Sequence, residues 1–133
     1  MHGQQELILL WKYIKMNKAT FNWAILLIYL FLIFYFSSLP KIEVLEKAPE
    51  FYLRDKVLHV VEYGFLGFLS YNAFKHNKFL NKKIFFYAVM FATIYGITDE
   101  IHQLFIPNRI FSLIDITADF LGSSLILFKK LIK

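Results

Sequence analysis

Apolar residues in this chain gather into long continuous stretches, and the charged residues fall between them or at their ends. Four such stretches stand out: about Ala19 to Leu39, Val57 to Phe74, Ile84 to Leu104 and Ile110 to Phe128. Each is close to the roughly 20 residues a helix needs to cross a bilayer. Inside lipid, only helices and closed barrels satisfy their own backbone hydrogen bonds. Barrel strands alternate polar and apolar positions over about ten residues, and these stretches do not alternate. The pattern therefore predicts an all-α integral membrane bundle of four transmembrane helices over residues 19–128. A cytoplasmic tail over 1–18 precedes it, and a basic tail over 129–133 follows.

Composition strengthens this reading. The chain has 133 residues, of which 58% are hydrophobic and 20% aromatic. A soluble domain of that length has too little interior to hide so much apolar surface. The first stretch follows Lys12, Lys15 and Lys18 as a signal peptide would. It is too long for a typical signal core, however, and Ser37-Ser38-Leu39-Pro40 is not a small-residue cleavage site. The net charge of +5 does not mark a nucleic-acid binder, because Lys and Arg flank the apolar stretches and form no continuous face. Without cysteine, thiolate catalysis and Cys-type zinc sites are excluded.

The basic residues also orient the chain. The two tails and the 75–83 connection hold ten of the 15 Lys and Arg residues, and the only acid among them is Glu6. By the positive-inside rule these segments face the cytoplasm, with both termini inside. The 40–54 and 105–109 connections then face outward. The longer one is expected to be an ordered cap or a short surface helix.

The informative residues are those that break the apolar pattern. In span two, Asp55, His59 and Glu62 fall on a narrow arc of one helix face, with Lys56 and Tyr63 beside it. Asp55 and Glu62 are about 10 Å apart along the axis at roughly 1.5 Å per residue, so the polar strip descends into the membrane. The helix dipole accounts for Asp55 but fades before Glu62. Span three ends in Asp99, Glu100, His102 and Gln103. There the dipole disfavours carboxylates, so Asp99 and Glu100 need a cation, a proton or a metal, and Arg109 is the nearest cation along the chain. In span four, Asp115, Asp119 and Gly122 share a face, with Ser112 near it; Gly122 suits close helix packing. Facing lipid, each such charge costs about 2.5–3.5 kcal/mol, so these groups are expected to face one another.

Several apparent motifs carry no chemistry. Asp99-Glu100-Ile101-His102 spells DExH without a phosphate-binding glycine loop, and no G-x-S-x-G is present. His59-x-x-Glu62 is not HExxH, so no metal is assigned and no cofactor is named. The segments FYFSSLP, DKVLHVVEYGFLGFL, YGITDEIHQLFIPNR and SLIDITADFLG, however, together resemble the VanZ-like family of small bacterial membrane proteins. Asp55, Lys56, His59, Tyr63, Asp99, Glu100, Gln103, Phe105, Arg109, Ser112, Asp115 and Gly122 fill its pattern. Asp119 stands where that family often has Asn. The resemblance implies a multi-span cell-envelope protein related to one that confers resistance to the glycopeptide teicoplanin.

Three roles fit these residues. In an enzyme acting on a lipid-linked envelope substrate, His59, Asp99 and Glu100 are the candidate acid/base groups. Asp55, Lys56, Glu62, Tyr63, Gln103, Arg109, Ser112, Asp115 and Asp119 then bind the ligand, Arg109 through an anionic group. In a non-catalytic module, the same site holds a lipid or a lipoglycopeptide. In a structural network, the charges only fix helix packing. The partners expected are the lipid bilayer and a lipid-linked or glycopeptide-type ligand, with no nucleic acid.

Overall fold

The computed structural model describes residues 3–7, 18–40, 49–77 and 83–127. Four α-helices form the body: α1 (Lys18–Ser37), α2 (Pro49–Phe74), α3 (Ile84–Gln103) and α4 (Leu113–Ser124). A 3₁₀ turn over Leu125–Leu127 follows α4. No strand occurs among the described residues.

Successive helices run in opposite directions. The end of α1 meets the end of α3, where Ser38 Oγ lies 3.0 Å from His102 Nε2 and Phe34 stacks on the His102 ring. The start of α2 meets the start of α4, where Lys56 pairs with Asp115. All four of these ends lie at one end of the bundle. At the other end, Tyr71 of α2 stacks on Phe85 at the start of α3, with ring centroids 4.6 Å apart.

Each helix presents one stripe to its neighbours. In α1 the buried positions are Leu26, Ile33 and Ser37, a single line down one side. Phe21, Leu27, Ile28 and Phe31 point away and are exposed. Only 11% of its apolar stretch is buried within the protein, so α1 is no core helix of a soluble fold. Two helices, α1 and α3, are long and apolar enough to cross a membrane.

α2 is the hub, packing on all three other helices. Its buried stripe reads His59, Tyr63, Leu66, Ser70 and Ala73, the alternating spacing of four and three that keeps one face inward. In α3, Ala88, Ala92 and Gly96 recur every four residues, and the same stripe then turns polar at Asp99 and Gln103. Small residues at this spacing let helices approach closely in lipid. Gly122 has the packing role expected of it, since a side chain there would collide with the Val60 carbonyl of α2.

Two segment boundaries differ from expectation. α2 starts at Pro49 rather than near Val57, because proline suits the first helical position, where no N–H is needed. Residues 49–54, expected to form a cap or a surface helix, are thus the first turns of α2; residues 41–48 lie outside the described part. The fourth segment is shorter than its apolar stretch. Ile110 and Phe111 precede the Ser112 cap, and α4 has 12 residues. That is about 18 Å of helix, against a hydrocarbon core of about 30 Å.

Candidate functional site

The polar ends of α2, α3 and α4 converge because their inward stripes do. Around the start of α2 they enclose a cavity of about 160 Å³. Asp55, His59 and Glu62 of α2 line it, as their shared helix face requires. Asp99 and Gln103 of α3 and Arg109 add further polar wall, and α1 closes it with Ile33, Phe36 and Ser37. Asp115 and Asp119 of α4 stand behind this lining and hold two of the α2 side chains.

His59 is the best-positioned group. Its Nδ1 lies 2.8 Å from Asp119 Oδ1, and His59 is 7% exposed against 1% for Asp119. A buried carboxylate bonded to one imidazole nitrogen fixes the ring and leaves the other nitrogen to act. Gly96 makes this pairing possible, because a Cβ there would sit 2.5 Å from Asp119 Oδ2. The buried Tyr63 ring runs parallel to His59, with centroids 6.2 Å apart.

The remaining charges are mostly committed to holding helix ends. Ser112 caps α4 by accepting the Asp115 N–H at 3.2 Å. Glu100 Oε2 accepts the Ser112 N–H at 2.8 Å. The carboxylate that is out of place on its own helix thus serves the start of the next one, which the one-dimensional dipole argument missed. Asp99 accepts the Gln103 amide at 2.9 Å, joining two residues expected to share a face.

Arg109 does not pair with Asp99 or Glu100. Asn108 takes a left-handed conformation, φ 60°, which asparagine tolerates better than most residues. The turn sends Arg109 across to α1, where Nε donates to Leu39 O at 3.0 Å and an Nη to Phe36 O at 3.1 Å. The guanidinium therefore caps the free carbonyls at the end of α1.

Asp55, His59 and Asp115 each bring a ligand atom to within 4.8 Å of the others, a spacing that suits a divalent cation. Lys56 already supplies a positive charge there, bonded to Asp115 and 3.4 Å from Asp55. Acceptors nonetheless outnumber donors in the cluster. Tyr63 OH, Glu100 Oε1 and Asp119 Oδ2 are buried and make no hydrogen bond.

A family profile described as VanZ/LLP1 matches residues 7–129. The chain belongs to the VanZ/LLP1 family. With two apolar helices able to span a bilayer, this VanZ/LLP1 chain is a membrane protein. No curated protein and no solved structure matches it.

The site residues expected from sequence thus fall into two groups. His59, Asp55, Glu62, Asp99, Gln103 and Arg109 meet at the cavity. Lys56, Tyr63, Glu100, Ser112, Asp115 and Asp119 support it from behind. Ser37 and Leu58 line the cavity without having been singled out. The only signal for either was its place in a resembling segment, FYFSSLP for Ser37 and DKVLHVVEYGFLGFL for Leu58, since an apolar residue in an apolar span looks like any other.

Proposed function

We propose that this VanZ/LLP1 protein is a bacterial cell-envelope protein that crosses the cytoplasmic membrane four times, with both termini in the cytoplasm. Its cavity faces the extracytoplasmic side and takes a lipid-linked or other amphiphilic envelope ligand. His59, oriented by Asp119, is the acid/base group, with Asp99 as the second polar group at the ligand. One observation carries this reading: a buried His–Asp pair borders a polar cavity in an otherwise apolar bundle. Structural charges need no cavity, and intramembrane ionisable groups beside one mark functional sites. A positioned imidazole with a carboxylate behind it is the arrangement general acid/base chemistry uses.

The cavity's size limits the ligand. At about 160 Å³ it holds roughly five water volumes, at about 30 Å³ each. A headgroup or appendage fits inside and a whole glycopeptide does not, so any teicoplanin-type resistance acts through an acyl-bearing part or through an envelope lipid. For Glu100, Ser112, Asp115 and Arg109 the structural reading is favoured, since each is bonded to a helix end or to a lysine.

The test is expression in a teicoplanin-sensitive bacterium, with susceptibility and the envelope lipid profile measured together. The wild type is expected to lower susceptibility or alter a lipid-linked species. His59→Ala and Asp99→Asn are expected to abolish the effect while the protein stays folded in the membrane. If both variants act like wild type, the cavity is not the working site.

A further inference from the structure

An apolar hollow adjoins the polar cavity. Ile33, Phe36, Leu58 and Glu62 belong to its wall and also to the wall of a groove of about 420 Å³ between α1 and α2. Tyr29, Leu32 and Val61 complete that groove. The shared residues set the two hollows side by side, one polar and one apolar. The cavity alone is smaller than the roughly 300–1,000 Å³ of ordinary ligand sites. The groove is large enough but has only Glu62 as a charged wall. An amphiphile uses both.

Two polar groups at this junction lack partners. Ser37 lines the cavity and is 6% exposed, and its buried hydroxyl makes no hydrogen bond. The Glu62 side chain makes no hydrogen bond or ion pair among the described residues; only its backbone carbonyl is engaged, by Tyr29 OH at 3.0 Å. The lining is also unbalanced. Asp55, Glu62 and Asp99 face two fixed cations, Lys56 beside Asp55 and Arg109. Arg109 is turned toward the carbonyls of Phe36 and Leu39, so neither fixed cation pairs with Glu62.

Resting on the cavity as a ligand site, we infer that the two adjoining hollows together hold one aminophospholipid drawn from the surrounding bilayer. Its ammonium donates to Glu62 and Asp99, with Ser37 Oγ beside it, and one acyl chain follows the groove between α1 and α2. Charge complementarity selects the cation, and the cavity volume selects a small one. The unfilled hydrogen-bonding capacity of the carboxylates selects an ammonium with N–H groups over a quaternary one.

Native mass spectrometry of the detergent-purified protein tests this, using phosphatidylethanolamine, phosphatidylcholine and phosphatidylglycerol with matched chains. Wild type is expected to retain phosphatidylethanolamine about tenfold over the other two, the ratio a single hydrogen bond to a charged group provides. Glu62→Gln is expected to lose that preference while still retaining lipid. Leu58→Trp fills the shared wall and is expected to lower retention of all three. Thermal unfolding of each variant checks that it is folded. If wild type retains the three equally but Leu58→Trp still displaces them, the amine assignment falls and the amphiphile site stands. An unchanged preference in Glu62→Gln also overturns the amine contact. If no lipid is retained, or retention ignores Leu58→Trp, both readings fall.

Discussion

At the scale of single residues, pairing distinguishes a carboxylate that orients a cavity side chain from one that holds a helix end. Asp119 and Glu100 are equally buried, at 1% exposure. One holds the imidazole that lines the cavity, and the other holds the N–H of a helix cap. Removing each has a different signature. Asp119→Ala strands a buried histidine and is expected to cost about 1–3 kcal/mol of stability. Asp119→Asn, which keeps an oxygen in the same place, is expected to recover most of that. Glu100→Ala removes a cap and is expected to cost about 1 kcal/mol, without changing ligand retention. Thermal unfolding in detergent measures all three, and a Glu100→Ala variant that lost ligand but not stability would move Glu100 into the working group. Which residues share a face was legible in the sequence, because helical spacing sets it: Asp55, His59 and Glu62 do line one cavity, and Asp99 does meet Gln103. Which residues pair across helices was not. Arg109 is the nearest cation along the chain to Asp99 and Glu100, yet the left-handed turn at Asn108 aims it at α1.

At the scale of elements, apolar length predicted where helices lie and overstated how far one of them runs. α1 and α3 match their apolar stretches to within two residues at each end, because nothing in them offers the backbone an alternative. α4 starts late, because Ser112 competes for the Asp115 N–H and fixes the boundary. Two predictions belong here. Arg109→Ala removes the guanidinium from the Phe36 and Leu39 carbonyls, leaving Phe36 O only the Leu39 N–H, and is expected to cost roughly 1–2 kcal/mol. Arg109→Lys is expected to recover less than half, since a single ammonium cannot span both carbonyls as the planar guanidinium does. Full rescue by lysine in an unfolding assay would mean that charge, rather than the fork, is what α1 requires. Gly122→Val puts a branched side chain against the Val60 carbonyl and so separates α2 from α4, the pair with the most extensive contact. Because that contact also carries Lys56–Asp115 and His59–Asp119, the variant is expected to lose fold and ligand retention together. Wild-type thermal stability in Gly122→Val would contradict the close approach.

For the molecule as a whole, the bundle's polarity and its membrane orientation come from separate physical effects that agree. Helix stripes gather the acids at the end that holds the start of α2 and the close of α3. Lys18, Lys75 and Lys83 lie at the opposite end, the end for which the positive-inside rule predicts the cytoplasm. In the proposed orientation, charges far from the acidic cavity hold it outward. The chain contains no cysteine, so single-cysteine labelling reads this orientation without background. Ile110 is 80% exposed beside the cavity end, and Lys75 is exposed at the other. In intact cells, Ile110→Cys is expected to react with a membrane-impermeant maleimide and Lys75→Cys is not. After permeabilisation both are expected to react. The reverse pattern would turn the cavity toward the cytoplasm and leave extracytoplasmic ligands out of reach. Replacing Lys75 and Lys83 with Glu weakens the cytoplasmic charge of their connection, and the Ile110→Cys signal in intact cells is then expected to fall as part of the population inverts. If the signal stays at its original level, those two lysines do not set the orientation, and the tails alone carry it.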